Sequence, residues 1–243
     1  AYLNALLDVV VFVEMPFGCS KPGKVWKLHR ALCGLKQSGR LWCLTLKEWM
    51  EGYGFQVNPV DPCVFILHMG SSWIIAWVYV DDMGCFSNDE ALKEQFLASL
   101  GARFAITNLG ALQYYLGINI ATHGRVVTLD QKKYIQEIAE KYKVEAVPVA
   151  APVASKPSLD TTPLLDEEAT LLRRMMGALV YIAVMTRPDI SFAVSAASRH
   201  LHTPRVCDRV AIVRIYRYLL CTLHAVLTYS HPDSTIKLYT DSD

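Results

Sequence analysis

The stretch Trp73-Ile-Ile-Ala-Trp-Val-Tyr-Val-Asp-Asp82 carries a run of bulky apolar residues into two adjacent carboxylates. An unbroken run of β-branched and aromatic residues is typical of a buried strand. Met83-Gly84 predicts a tight turn after it, and Cys85-Phe86 is expected to start a returning strand. Adjacent carboxylates repel each other, so folding alone gives little reason to place Asp81 and Asp82 at the tip of a hairpin. A pair of divalent cations would give a reason, because the cations neutralise this charge and use it in phosphoryl or nucleotidyl transfer.

Elements on both sides of this hairpin predict a chain of the α+β class, with hairpins first and helices later. Residues 63–67 are expected to pair with 73–80, and a second hairpin is expected over 112–129. The later helices are predicted at 165–185, 189–202 and 206–223. Four prolines and many small residues lie between 144 and 163 and predict a linker there.

Composition excludes several classes of protein. The chain has 243 residues, of which 52% are hydrophobic, so one large domain or two modest ones are expected. The net charge of +1 gives no global field toward nucleic acid, and any basic surface must be local. The apolar stretch from Leu3 to Val13 is too short and too interrupted for a signal peptide or a membrane span. The seven cysteines form no C-x-x-C pair, so reduced core thiols are expected rather than disulfides or a zinc site. We therefore expect an intracellular protein that is not secreted.

Several short segments, taken together and in order, are far more specific than Tyr79-Val-Asp-Asp82 alone. They are Ala1-Tyr-Leu-Asn4, Leu32-Cys-Gly-Leu-Lys-Gln37 leading to Arg40-Leu-Trp42, Asp61-Pro-Cys63, Tyr79-Val-Asp-Asp82, Leu109-Gly with Tyr115-Leu-Gly-Ile118, Thr186-Arg-Pro-Asp-Ile190 and Arg217-Tyr-Leu219. This series resembles the reverse transcriptase of copia-type (Ty1/copia) LTR retrotransposon polyproteins, and the resemblance covers nearly the whole chain.

The resemblance implies a polymerase architecture. Residues 1–122 would form a palm with an RRM-like antiparallel sheet and partial fingers. Residues 123–234 would form a mostly helical thumb and connection, with the Pro-rich linker near 144–163. Residues 235–243 would be the first strand of a truncated RNase H-like domain, in which Asp241 would be the first metal ligand.

The resemblance also implies an RNA-directed DNA polymerase that extends a primer on an RNA or DNA template with dNTPs. Two Mg²⁺ ions would serve the reaction, with Mn²⁺ as an alternative ion. One ion activates the primer 3′ hydroxyl and the other holds the triphosphate. Asp81 would be the shared catalytic metal ligand, and Asp82 would be a weaker or outer ligand beside it.

The same resemblance assigns contacts to the substrates. Tyr2 would pack under the incoming sugar and exclude a ribose 2′ hydroxyl, or it would be an ordinary core aromatic. Gly34, Lys36 and Gln37 would contact the nucleotide, and Leu116 with Gly117 would grip the primer unless this hairpin only packs as a sheet. Trp42 is expected to pack in the core. A basic surface for template–primer phosphates would draw on Arg187, Arg199, Arg205, Arg209, Arg214 and Arg217, although for any single Arg a solvated helix face is the competing interpretation.

One departure from the family pattern leaves alternatives open. The family segment reads D-V-x-x-A-[FY]-L-N, and its Asp would lie four residues before Ala1. The chain starts at Ala1 and stops at Asp243 inside a predicted strand, so we expect a fragment that is inactive alone. The remaining partners would be the rest of the polyprotein (integrase and RNase H), in a cytoplasmic virus-like particle and without a membrane. The alternatives are an inactive remnant that retains at most nucleic-acid binding, and an unrelated metal-dependent phosphotransferase that uses Asp81 and Asp82.

Overall fold

The computed structural model describes residues 1–19 and 21–230, in which helices are mixed with antiparallel strands. The α+β class is confirmed at this level. The chain divides at Gly110 into a first unit, Ala1–Gly110, and a second unit that begins at Ala111. The functional division predicted at 122 and 123, into palm and thumb, stays a prediction. The predicted strand at 235–243 and Asp241 lie outside the described residues.

The first unit opens with a 3-10 helix, Tyr2–Asn4, and continues through two antiparallel sheets and two α-helices. In chain order its elements are β1 (Leu6–Val13), β2 (Trp26–Arg30), α1 (Ser38–Tyr53), β3 (Gln56–Val57), β4 (Val64–Met69), β5 (Ser72–Tyr79), β6 (Asp82–Ser87) and α2 (Glu90–Arg103). Strands β1 and β2 pair with each other, and β3 to β6 form a sheet in the order β3-β4-β5-β6.

The core of the first unit lies between the two helices and one face of the four-stranded sheet. In α1, Trp42, Leu46 and Met50 recur every fourth residue and line one helix face. In β5, the alternate residues Ile74 and Ala76 face the same core. Helix and strand periodicities therefore converge on one apolar layer, which fixes α1 against the sheet.

The turn between β5 and β6 lies earlier than the predicted Met83-Gly84 turn. Tyr79 pairs with Asp82, so the turn is Val80–Asp81 and Asp82 is already the first residue of β6. Gly84 lies inside β6 directly opposite Trp77, whose ring occupies the space that a side chain at position 84 would need. The glycine therefore serves cross-strand packing rather than the turn, which is why the local turn signal was misleading.

The second unit consists of a four-stranded sheet and a helical cluster. In chain order its elements are β7 (Tyr114–Tyr115), β8 (Ile118–His123), β9 (Val126–Asp130), α3 (Lys132–Lys141), α4 (Asp166–Met185), a 3-10 helix (Pro188–Ile190), α5 (Ser191–Ser198), α6 (Val206–Cys221) and β10 (Leu227–Tyr229). The antiparallel sheet has the order β10-β9-β8-β7. Across residues 1–19 and 21–230, no helix combines the length and the apolar character needed to cross a bilayer.

The segment predicted as a linker, 144–163, is irregular but is hydrogen-bonded along its length. The backbone amides of Val206 and Cys207 donate to the carbonyls of Thr162 and Asp160. The Arg214 side chain donates to the Ala151 carbonyl (3.0 Å). These bonds attach the segment to α6, so it does not behave as a free spacer within the second unit.

Arg187 is buried and structural, which removes it from the predicted basic surface. Its guanidinium donates two hydrogen bonds to the carboxylate of Asp189 (2.9 and 2.7 Å) and two more to Thr222. Only 3% of Arg187 is exposed. Burial alone would raise the pKa of Asp189, but the bonds from Arg187 outweigh burial and lower that pKa below its usual range. Arg187 thus links the 3-10 helix Pro188–Ile190 to Thr222, the C-cap residue of α6.

We expect Asp189→Asn to lower the free energy of unfolding by about 2 kcal/mol at neutral pH, because the buried guanidinium loses its charged partner. The lowered pKa of Asp189 means that its contribution is present above about pH 4 and is lost as the pH falls through the folded-state pKa. Urea unfolding of both proteins at pH 7 and pH 3 should therefore show a difference that shrinks in acid.

The exposed ion pair between Arg209 and Glu168 (2.9 Å) provides the matched control. Glu168→Gln should change the free energy of unfolding by less than about 0.5 kcal/mol, since exposed pairs contribute little. Equal losses in the two variants at pH 7 would contradict the structural role of the bond between Asp189 and the buried Arg187.

Candidate functional site

The Val80–Asp81 turn is strained. Val80 has a φ of 55°, in the left-handed region that a β-branched residue rarely adopts. Such conformations persist when the surrounding structure holds them, and they concentrate at functional sites. Neighbouring groups must therefore hold this turn in its conformation.

Trp42 holds the turn from α1. Its indole Nε1–H donates to the carbonyl oxygen of Val80 at 2.8 Å. The predicted core packing of Trp42 is confirmed, since the residue is only 8% exposed and meets the Phe104 ring edge-on at 5.3 Å. The link to the turn was missed from sequence. The available signal was general: a buried tryptophan usually finds an acceptor for its N–H.

Asp81 and Asp82 lie at the exposed tip of the hairpin. The Asp81 side chain is 71% exposed, and one of its carboxylate oxygens forms an ion pair with the α-amino group of Ala1 at 2.6 Å. Asp82 lies opposite Tyr79 at the end of the ladder and is also exposed. Residue 1 and the hairpin tip therefore meet in space.

The carboxylate pair has the ligand chemistry of a magnesium site but supplies only part of one. Carboxylate oxygens are the ligands that Mg²⁺ prefers, and both Asp81 and Asp82 are exposed. In the part of the chain that the structure describes, no group of three or more His, Cys, Asp or Glu side chains is arranged to hold a metal ion. Asp81 and Asp82 thus fit a divalent cation that takes its other ligands elsewhere.

The segment assigned to the nucleotide leads directly into α1. Gly34 has a φ of 96°, and both Gly34 and Lys36 are exposed. Gln37 is the N-cap residue of α1, but its side chain does not cap the helix. Ser38 is buried, and its hydroxyl donates to the Leu32 carbonyl at 2.6 Å, which closes the loop before the helix. The glycine is therefore needed by the backbone, while the Lys36 and Gln37 side chains stay available.

Tyr2 lies beside the first turn of α1. A Cβ added to Gly39 would be 4.0 Å from the Tyr2 hydroxyl, and Tyr2 packs partly buried against the core. Ala1, the residue before Tyr2, contacts Asp81, and α1 contacts the Val80 carbonyl. The structure therefore brings Tyr2, the start of α1 and the carboxylate turn into one neighbourhood of the first unit.

The predicted primer hairpin belongs to the second unit and has a turn of a different type. Leu116 and Gly117 have φ values of 50° and 80°, and Tyr115 pairs with Ile118 on either side of them. Positive φ at both central residues is the pattern of a type I′ turn, the usual two-residue hairpin turn. The Tyr181 hydroxyl of α4 donates to the Leu116 carbonyl. This turn is thus also held by an aromatic donor from a helix.

The other predicted arginines differ in their availability. Arg209 pairs with Glu168, and Arg214 donates to a backbone carbonyl. Arg199 is exposed at the end of α5, whereas Arg217 is only partly exposed. A continuous basic surface on the late helices therefore remains a prediction.

We expect Gly84→Ala to lower the free energy of unfolding by about 2 kcal/mol, because overpacking forces side chains or backbone to move. A Cβ at position 84 would lie 2.1 Å from Cζ2 of the Trp77 ring. Urea unfolding measures the effect. Gly52→Ala in α1 is the matched control, since a Cβ there meets nothing within 4 Å. That change should stabilise the helix by about 0.5–1 kcal/mol, and a Gly84→Ala protein as stable as wild type would contradict the packing argument.

Comparisons with known proteins point to one family. A family model described as reverse transcriptase (RNA-dependent DNA polymerase) matches residues 1–155. The Retrovirus-related Pol polyprotein from transposon RE1 of Arabidopsis thaliana is 34% identical over 251 residues, covering 100% of this chain and 17% of that protein. The corresponding polyprotein from transposon TNT 1-94 of Nicotiana tabacum is 33% identical, covering 100% of this chain and 19% of that protein.

More distant relatives extend the same similarity. The transposon Ty1-DR5 Gag-Pol polyprotein of Saccharomyces cerevisiae is 26% identical over 223 residues, covering 84% of this chain and 12% of that protein. The chain thus spans less than a fifth of the length of these three relatives. No solved structure matches it. The alternative of an inactive remnant is not favoured by these matches.

Proposed function

This chain belongs to the reverse transcriptase (RNA-dependent DNA polymerase) family of copia-type retrotransposon Pol polyproteins, and from that premise we propose that it catalyses deoxynucleotidyl transfer to a primer on an RNA or DNA template. The observation that carries the proposal is the exposed Asp81 carboxylate on a strained turn, whose Val80 carbonyl is held from α1 by Trp42. Residues 1–122 would serve as palm and partial fingers, and residues 123–234 as thumb and connection.

Asp81 and Asp82 would hold Mg²⁺, or Mn²⁺ as the alternative ion. When bound, such ions activate the primer hydroxyl and stabilise charge on the transferring phosphoryl group. The residues that precede Ala1 in the polyprotein would add the family's first Asp. The position of residue 1 supports this, because the Ala1 nitrogen lies 2.6 Å from the Asp81 carboxylate that such an Asp would join.

The contacts around α1 suit the incoming nucleotide. Tyr2, packed beside the first turn of α1, would lie under the sugar and exclude a 2′ hydroxyl. Lys36 would neutralise phosphate charge, and Gln37 would offer its uncommitted amide. Gly34 would let the backbone approach closely, because it has no side chain and adopts a conformation that favours glycine.

The Leu116–Gly117 turn would contact the primer backbone, and the exposed arginines of the late helices would contact template–primer phosphates. The rest of the polyprotein, including integrase and RNase H, would be the protein partner in an intracellular particle.

We expect the polymerase segment, extended upstream to include the residues before Ala1, to elongate a primer with dNTPs and Mg²⁺. Asp81→Asn should lower the rate at least about 100-fold, because a metal-binding carboxylate is lost. Glu94→Gln, which removes an exposed carboxylate on α2, is the control and should leave the rate unchanged. Folded wild-type protein without incorporation, or full activity in Asp81→Asn, would contradict the proposal.

We expect Tyr181→Phe to raise the KM for template–primer about three- to tenfold without changing the KM for dNTP, since the proposed primer turn loses a hydrogen bond. Steady-state kinetics with each substrate varied in turn provides the measurement. Tyr134→Phe is the control, because Tyr134 packs edge-on against Tyr181 at 5.5 Å but lies on α3. Equal effects on both KM values would assign Tyr181 to general packing instead.

A further inference from the structure

The turn that carries Asp81 has the geometry of a type II′ turn with an unfavourable residue in it. Val80 has positive φ and Asp81 does not, which is the type II′ pattern. Glycine is preferred at the first central position of this turn, and valine there is strained. The alternative for a two-residue hairpin is type I′, which would require positive φ at Asp81 as well.

The two turn types differ in the direction of one peptide group. Types I′ and II′ interconvert by rotating the peptide between the two central residues, here the Val80–Asp81 peptide. That peptide is planar, so the direction of the Val80 carbonyl sets ψ of Val80 and φ of Asp81 together. It thereby sets the direction in which the Asp81 side chain leaves the backbone.

The Val80 carbonyl is the group that Trp42 contacts. The indole N–H donates to it at 2.8 Å across 38 residues of sequence, from α1 within the same unit. Trp42 is buried, and Phe104 packs against its ring, so the donor cannot turn to solvent for another acceptor. Flipping the peptide would leave a buried N–H without a partner, which is unfavourable.

We propose that Trp42 is a positioning residue for catalysis: its indole N–H selects the type II′ turn and so aims the Asp81 carboxylate. This inference rests on the proposed polymerase function of Asp81. It assigns to Trp42 a role in the reaction rate and in the Mg²⁺ requirement, beyond its contribution to the core.

The experiment removes the indole N–H and keeps the ring. In the upstream-extended polymerase segment, Trp42 is replaced by 3-benzothienylalanine, which has sulfur in place of the N–H, and separately by Phe. The single-turnover incorporation rate should fall about tenfold, because losing one hydrogen bond to a buried group raises the barrier by an amount that corresponds to this factor. The Mg²⁺ concentration for half-maximal rate should rise, and the KM for template–primer should stay unchanged.

Trp49→Phe is the matched control. Trp49 lies on the same helix and also meets Phe104 edge-on, at 5.7 Å, with Tyr53 and Phe96 as its other aromatic neighbours. It should leave the rate and the Mg²⁺ dependence near wild type. A folded benzothienylalanine variant with wild-type rate and Mg²⁺ dependence would overturn the proposal, as would the same loss in Trp49→Phe.

A second substitution tests the turn-type argument directly. In a Val80→Gly background the type II′ turn is intrinsically favoured. The loss caused by Trp42→Phe should then shrink to about twofold, a non-additivity expected of residues that act on one conformation. Additive losses would contradict selection of the turn by Trp42.

One readout needs no catalysis and separates this inference from the proposed function. The Trp42 indole N–H should exchange with solvent far more slowly than that of Trp49, and the benzothienylalanine variant should speed exchange at the backbone amides of residues 80–83. A wild-type protein that fails to extend primers but shows this pattern would refute the polymerase assignment and retain the turn selection. Rapid exchange of the Trp42 indole would refute the turn selection itself.

Discussion

A two-residue turn with valine at positive φ is the constraint on which the candidate site depends. The turn is unfavourable by itself, so its neighbours must specify it. On one side, the ladder between β5 and β6 fixes the register, because Trp77 lies over the space left by Gly84 and packs on Phe86 at 4.9 Å. On the other side, Trp42 fixes the direction of the Val80 carbonyl. Two aromatic residues from different elements thus determine where an exposed carboxylate lies.

The second unit also contains a hairpin turn with a bulky residue at positive φ, held by different residues. At Leu116–Gly117 the glycine occupies the second central position, and the type I′ turn needs little outside help for that residue. Leucine at the first position still adopts positive φ, and Tyr181 donates to its carbonyl. In both hairpins a bulky residue occupies a position where glycine would have a lower conformational cost, and an aromatic side chain on a packed helix donates to its carbonyl. This pairing of strain with a fixed donor is what a geometrically defined loop requires.

Local periodicity predicted most elements, and long-range contacts account for the differences. The strand before Asp81 and the three late helices were predictable because apolar period and proline positions are local signals. The prediction of a turn at Met83-Gly84 was wrong, because Gly84 lies within β6 and makes room for the Trp77 ring on the paired strand. Arg187 was expected at a surface, but its partners lie two residues and 35 residues away in sequence. The hydrogen bond from Trp42 to Val80 was not predictable, since no sequence pattern indicates which backbone carbonyl accepts a hydrogen bond from a buried indole.

The exposure of the two carboxylates fits the proposed magnesium site. Mg²⁺ keeps several waters and commonly binds through one or two carboxylates together with substrate phosphates, rather than in a cage made only of protein. A site of that kind needs few protein ligands and must stay open to substrate, as Asp81 and Asp82 do. It then lacks the rigidity that many coordinating side chains would confer on a loop. The direction of each carboxylate must come from the backbone, and the backbone direction must come from contacts such as the indole bond to Val80. One arrangement therefore combines a strained turn, a buried tryptophan and two exposed acids. The tryptophan holds the turn from the core, and the acids lie on its solvent side.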